Sequence, residues 1–548
     1  MLLLYVLAVL VTLVAGWRAW RRLRYFLHVF QLEGYKLGEY GPWLGCRLGS
    51  VVIAPSHGVG LAVLLLVALL GNAGWGVGLG LFAWMLAFAS AKRYDGRREK
   101  KPLVFTDRMK RLARAAILLG AVPVVGGTVL AFASAGVVTG TLAFLLGWLA
   151  ADLGAPLWVI LAATLMKPVE AGVQNHYKRA AKQKLAAQRD LTVVGITGSY
   201  GKTSTKFVIA EILRQRFNTL ATPSSYNTPM GLCLVINDRL RPDHRVLVLE
   251  YGIRYEGDMD ELTELARPDI AVVTAVGPAH LETMGSVERI AREKGKLVEA
   301  VRPAGITVLN ADDECVAAMA ERVPDGAGRV WRVSTRGPRD GVDLAASAIR
   351  YGPEGATFTV TDDTGAEEEF RTRLLGEHNV LNLLLGLAVG RAMGLRLRQM
   401  AHAVARVEPV EHRLALRKEN GVLVIDDAFN SNPVGAKNAV EILGQFEGGR
   451  RVIVTPGMVE LGPRQAEENR AFGTHIARNL TGEDDLAVLV GPTQTAPIRE
   501  GLDAEGYPPE RVKVVRSLFE AQDLLRPLLR TGDVVLYEND LPDHYDEA

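Results

Sequence analysis

The chain has 548 residues, 49% of them hydrophobic and 23% charged, with 63 Lys and Arg set against 61 Asp and Glu. At about 100–200 residues per domain this length holds three or four domains and excludes a single small binding module, and the near cancellation of charge removes the strongly basic profile of a nucleic-acid binder. Cys46, Cys233 and Cys315 are scattered and form no CxxC pair, so neither a disulfide framework nor a thiolate zinc site is indicated.

The apolar excess lies in the first third. A bilayer core needs about 20 helical residues per span, and five candidate spans stand at 1–16, 51–71, 73–91, 112–132 and 137–166. The last is long and carries Asp152, Gly154 and Pro156, so it is open to breaking into two half-helices. Arg18, Arg21, Arg22 and Arg24 follow the first span, residues 92–101 are basic after the third, and Lys167, Lys178, Arg179, Lys182 and Lys184 follow the last. The turns near 71–74 and 133–136 carry no Lys or Arg, which sets the N-terminus outside and everything after Lys167 inside. Residues 17–44 mix Arg with Trp, Tyr and Phe and read either as an amphipathic stretch at the headgroups, in contact with membrane lipid, or as a plain connector. His57 and Asp152 read as isolated groups near span ends, so no transport path is suggested.

From Asp190 the pattern changes to short β-branched runs alternating with helical ones, as in parallel α/β domains. Residues 191–196 (LTVVGI) are expected to form a strand, 198–202 a loop and 203–217 a helix, with further strands at 245–249, 270–275 and 306–309. After a helix at 379–393, a boundary near 405–412 separates a second α/β unit with strands near 422–426, 451–455, 486–490 and 534–537. The fold class expected is therefore multi-domain: an α-helical transmembrane region over 1–170, an α/β domain over 190–405, and a second α/β domain over 410–548.

The run Gly198-Ser199-Tyr200-Gly201-Lys202-Thr203-Ser204 stands between strand and helix, where a phosphate-binding loop belongs. Its glycines let backbone N–H groups approach phosphate oxygens, and the helix N-terminus adds partial positive charge. Lys202 is expected to reach the outer phosphates of ATP, and Thr203 to ligate Mg2+. Glu250 ends the strand VLVLE and His280 follows the strand AVVTAV; both belong at the sheet edge that carries Thr203, where a carboxylate, an imidazole and a hydroxyl suit Mg2+ held against phosphate.

The ordered segments GITGSYGKTSTK (195–206), TPSSYNTPMG (222–231), LEYG (249–252), ARPDIAVVTAVGPAHLETMGSVERIAREKGK (266–296), LNADDE (309–314), GEHNVLNLL (376–384) and IDDAFNSNP (425–433) resemble the motifs of the Mur ligase family, most closely its MurF-type members. The resemblance covers about residues 190–540 and implies that 190–405 is an α/β P-loop ATPase domain and 410–548 a Rossmann-like α/β domain. It implies that Thr203, Glu250 and His280 form the Mg2+ environment, with Lys294 carbamylated to hold a second Mg2+. Asn310, Asp312, Asn379 and Asn382 match positions that line the nucleotide, and Arg413 and Asp427 match residues that reach ATP when the domains close; Asn430 and Asn432 are weaker matches. Catalytic roles fall to Lys202, Glu250, His280 and Lys294. The implied reaction is ATP-driven amide formation through an acyl phosphate, between a cell-wall precursor carrying a carboxylate and an amino acid or dipeptide.

The chain departs from the family in three places. The helical segment occupies the place of the N-terminal domain that holds a UDP-sugar, residues 537–545 are acidic where the family has a Lys-Gly-Ser stretch, and Lys296 stands where MurF-type members have an acid. The expected protein is thus a multi-pass cell-membrane ligase with cytoplasmic catalytic domains. The alternatives are a ligase for a lipid-linked or other cell-wall substrate and a catalytically silent membrane-tethered ATP-binding scaffold.

Overall fold

The computed structural model describes residues 2–73, 75–89, 102–224, 226–278, 281–352, 354–409, 414–428, 433–459 and 461–539. They divide into two compact units, 1–175 and 176–548.

In the first unit the opening apolar run does not end at residue 16. Residues 17–32 contain neither Gly nor Pro, so one helix continues over Leu2–Leu32 and stops before Gly34, whose φ of +63° leaves the helical region. The stretch expected at the headgroups is therefore mostly a continuation of this helix, followed by the short helix Leu37–Cys46. Thr106 caps the helix Asp107–Ala133 by accepting from Met109 N at 3.2 Å. The expected span 137–166 is two helices, Val137–Leu153 and Ala155–Ala186, parted at Gly154. Among the described residues, Leu2–Leu32, Asp107–Ala133 and Ala155–Ala186 are long and apolar enough to cross a membrane. Pro55–Leu70, Gly76–Phe88 and Val137–Leu153 are apolar but shorter than a full span, so among the described residues the five expected spans, the last of them divided, correspond to three long and three short apolar helices.

Helices Asp107–Ala133 and Val137–Leu153 approach backbone to backbone. A Cβ on Gly127 would stand 2.5 Å from the Ala143 carbonyl oxygen, so only glycine permits the crossing. Outward-facing side chains include Leu69, Leu118 and Phe132.

His57 and Asp152 are not isolated, which corrects the reading above. Arg18 Nε donates to Asp152 Oδ2 at 3.2 Å, and His57 Nε2 lies 2.8 Å from the same oxygen. Ala54 N–H donates to His57 Nδ1 at 2.9 Å, so the ring proton belongs on Nε2, pointing at the carboxylate. The partners are 95 and 134 residues apart in the chain. Folding alone brings them together, and the three are buried across three helices as an Arg18–Asp152 ion pair hydrogen-bonded by His57.

The second unit begins within the last long helix, where Lys178 and Lys182 pair with Glu261 and Glu264. Its first sheet, nine-stranded among the described residues, has the order β2-β3-β1-β4-β5-β6-β7-β8-β9. The strands are β1 (Thr192–Thr197), β2 (Thr219–Ala221), β3 (Val246–Glu250), β4 (Ile270–Val273), β5 (Ile306–Asn310), β6 (Val330–Ser334), β7 (Leu344–Gly352), β8 (Gly355–Asp362) and β9 (Glu367–Thr372). Pairing is parallel from β2 to β7 and antiparallel from β7 to β9. Both faces of the β1–β5 region are covered, so these strands read as continuous apolar runs. Val194, Ile196, Val248 and Val272 pack with Val208 and Ile212 of the helix Lys202–Leu213 and with Leu384 and Ala388 of the helix Glu377–Ala392.

The second sheet runs β10-β11-β15-β12-β13-β14, from β10 (Ala415–Glu419), β11 (Val422–Asp427), β12 (Arg451–Thr455), β13 (Leu486–Val490), β14 (Val512–Val515) and β15 (Val534–Glu538). Only the β10–β11 pair is antiparallel among those described. In the first sheet the strand order turns at β1, with β3 on one side and β4 on the other. Such a switch point opens a crevice at the carboxyl ends of the strands.

Candidate functional site

The crevice is lined by what immediately follows β1, β3, β4 and β5. Register places Ile196 beside Glu250 and Thr197 beside Val273, so the phosphate-loop candidate, the β3 carboxylate and the β4–helix turn share one edge. The loop takes its turn at Gly201, where φ is +76° and an added Cβ would lie 2.6 Å from Asn382 Oδ1. A side chain there would be strained and would clash. Ser199 Oγ donates to the Gly277 carbonyl at 3.0 Å, and Gly277 N–H donates back at 2.9 Å, which fastens the loop to the turn after β4. The Thr274 hydroxyl donates to the Tyr200 carbonyl.

Lys202 is half-buried and folds over its own loop, its ammonium donating to the carbonyls of Gly198 at 2.6 Å and Ser199 at 3.3 Å. Thr203 Oγ1 donates to Glu250 Oε2 at 2.9 Å, and both residues are buried. A hydroxyl and a carboxylate oxygen side by side at the mouth of a phosphate loop are hard oxygen donors of the kind Mg2+ takes. Among the described residues no group of three His, Cys, Asp or Glu gathers as a ready-made cage, so phosphate oxygens and water would complete such a shell. His280 lies outside the described residues, as do Arg413, Asn430 and Asn432.

Lys294 sits on the helix Val287–Glu299 and is only 2% exposed. Burial, together with the charge of Lys202, holds its amine well below the ordinary lysine range, while Glu293 acts in the opposite sense. Glu293 itself accepts from Gly257 N–H at 3.0 Å and Met259 N–H at 2.9 Å, pinning that helix to the start of the helix Asp258–Leu265. Lys296, the basic departure from the family pattern, is accounted for here: it pairs with Glu293 and Asp260, each at 2.7 Å.

Asn379 and Asn382 lie buried where the helix Glu377–Ala392 meets the first turn after the loop. Thr205 Oγ1 donates to Asn382 Oδ1 at 2.9 Å, Asn382 Nδ2 to Asn379 Oδ1 at 3.2 Å, and Asn379 Nδ2 to the Leu375 carbonyl at 2.8 Å. Asn310 Nδ2 donates to the Thr274 carbonyl at 3.0 Å, and Asn310 Oδ1 accepts from Asp312 N–H at 2.9 Å. The Asp312 carboxylate accepts from Ser334 Oγ, from Thr335 and from Arg339. Burial works to raise this carboxyl, and those hydrogen bonds outweigh it and hold it below the ordinary range. Asp427 belongs to the other sheet, at the end of β11, where Leu414 N–H donates to its Oδ1 at 3.1 Å.

Sequence reasoning passed over two residues that touch Glu250. Lys206 Nζ lies 3.2 Å from Glu250 Oε2, with both side chains essentially unexposed, and Asn227 Nδ2 donates to Oε1 at 3.1 Å. A signal for Lys206 was present, since it falls on the buried face of its helix with Thr203, Val208 and Ile209, where a lysine needs a partner.

Residues 196–390 match the model of the Mur ligase middle domain, and residues 412–537 match that of the Mur ligase glutamate ligase domain. The UDP-N-acetylmuramoyl-tripeptide–D-alanyl-D-alanine ligase of Mycobacterium bovis is 36% identical over 63% of this chain and 70% of its own length. The Escherichia coli protein of the same name is 32% identical over 49% of this chain and 58% of its own length. Among solved structures, MurF from Thermotoga maritima in complex with ADP is similar with a TM-score of 0.57 and 25% identity, covering 67% of this chain and 80% of that one. MurF from Acinetobacter baumannii also superposes with a TM-score of 0.57 at 25% identity, over 67% of this chain and 77% of that one.

Proposed function

We propose that this chain, which belongs to the Mur ligase family, is an ATP-dependent, ADP-forming acid–amino-acid ligase that extends a peptidoglycan precursor. The substrates are of the kind named for its relatives, a muramoyl-tripeptide carboxylate and D-alanyl-D-alanine. The observation that carries the reading is the assembly at one sheet edge of the loop 198–204, Thr203 on Glu250, and the buried Lys294 within the field of Lys202.

In this reading the backbone N–H groups of the loop hold the phosphates, and Lys202 leaves its own carbonyls to follow charge onto the γ-phosphate as an acceptor carboxylate attacks it. The acyl phosphate so formed is then attacked by the incoming amine, and phosphate leaves with one former carboxylate oxygen. Mg2+, held by Thr203, Glu250, His280 and a carbamate on Lys294, would neutralise charge on the transferring group when bound. The depressed pKa of Lys294 favours the neutral amine that a carbamate requires. Asn310, Asp312, Asn379 and Asn382 shape the nucleotide's surroundings, and Arg413 and Asp427 reach ATP on domain closure, which excludes water from the acyl phosphate.

The helical unit precedes the matched segments and turns apolar side chains outward. This supports a multi-pass membrane protein in contact with lipid, its ligase domains on the cytoplasmic side by the charge rule. It also favours a second reading in which the acceptor is lipid-linked rather than UDP-linked. Phosphate release by the full chain in detergent, measured with UDP-linked and lipid-linked muramoyl tripeptides in turn, separates the two. Stimulation at least tenfold by the UDP-linked acceptor together with D-alanyl-D-alanine is expected. Stimulation by the lipid-linked acceptor alone would establish the second reading, and stimulation by neither would leave the scaffold.

A further inference from the structure

Glu250 is held by more than a metal ligand needs. Its Oε2 accepts from the Thr203 hydroxyl and faces the Lys206 ammonium at 3.2 Å, while its Oε1 accepts from Asn227. Lys206 is wholly buried; its ammonium also donates to the Ser224 carbonyl and stands 4.6 Å from the centre of the Phe207 ring. Ser224 itself has a φ of +46°, a left-handed conformation unusual for a residue with a Cβ. The loop carrying Ser224 and Asn227 is thus latched to Glu250 from both carboxylate oxygens.

We propose that Lys206 is a positioning residue that supplies the counter-charge of Glu250 before any metal is bound, so that the divalent cation enters with the nucleotide and not alone. The inference rests on reading this edge as the Mg2+–ATP site. A carboxylate buried as deeply as Glu250 is costly without a positive partner. With Lys206 in place the charge is already met, and a free cation approaching Thr203 and Glu250 encounters an ammonium one hydrogen-bond length away. ATP changes the balance, because its phosphates bring the negative charge that makes room for a second cation beside the ammonium. Lys206 keeps its place through that change, since the Ser224 carbonyl holds it independently of Glu250.

The test is Mn2+ binding to the full chain in detergent, followed by the electron paramagnetic resonance of free Mn2+. Without nucleotide, Lys206→Met is expected to bind Mn2+ at least tenfold more tightly than wild type, because Glu250 has lost its counter-charge. Lys206→Gln, which keeps a hydrogen-bond donor without the charge, should behave like the Met variant, because the lost charge and not the lost hydrogen bond admits the free cation. Lys206→Arg should retain the weak binding of wild type. With a non-hydrolysable ATP analogue saturating the site, and its own Mn2+ binding measured separately, wild type and both neutral variants should differ by less than about threefold. Equal nucleotide-free Mn2+ affinity in wild type and the neutral variants would overturn the role of Lys206. Absence of Mn2+ binding in all proteins even with the analogue would instead overturn the reading of the site itself.

Discussion

Lys202→Ala should lower acceptor-dependent phosphate release by about 10²–10³-fold, the loss typical of one donor aimed at transition-state charge. The ammonium donates to the Gly198 and Ser199 carbonyls of its own loop, and the side chain is half-buried at the crevice. The side chain is half-buried and outside the apolar core of the first sheet, so thermal unfolding should move much less than activity, by about 1 kcal/mol or less. Activity and stability therefore separate in this variant. Retention of wild-type, substrate-dependent phosphate release would place the phosphate site elsewhere in the chain.

Lys294→Ala carries the second large effect. If the residue serves as a carbamate, the variant should lose ligation on the order of 10²-fold while nucleotide binding, followed by calorimetry, stays within a few-fold of wild type, since the loop 198–204 is untouched. The fold should tolerate the change better than most buried substitutions, because the amine is disfavoured where it stands by burial and by the Lys202 charge. Millimolar acetate, a short carboxylate able to occupy the vacated position, should restore part of the activity to Lys294→Ala and none to Lys202→Ala. Near-normal turnover by the Ala variant would remove Lys294 from the mechanism.

What could be read from residue order was what is local. The phosphate loop is seven contiguous residues between an apolar strand and a helix, and Glu250 closes a run of fully buried residues on β3, so both were visible as patterns. The strands β8 and β9 were not. Glu367–Thr372 carries three glutamates in a row and β8 alternates buried with partly exposed residues, so neither forms the unbroken apolar run that marked β1 and β3. Long-range pairing was equally hidden. Lys206 and Glu250 are 44 residues apart, and His57 and Asp152 are 95 apart; only the fold shows that each buried charge has its partner. Lys296 is the converse case, a departure from a family pattern that became intelligible once its contacts with Glu293 and Asp260 were seen.

The central claim is that an acceptor carboxylate is activated as an acyl phosphate, and oxygen tracing tests it most directly. With a muramoyl tripeptide labelled with 18O in its terminal carboxylate, ATP and D-alanyl-D-alanine, mass spectrometry of the released phosphate should find one 18O transferred per amide bond formed, with ADP and amide in equal amounts. Phosphate that carries oxygen only from water, released without stoichiometric amide, would show ATP hydrolysis uncoupled from ligation and contradict the account.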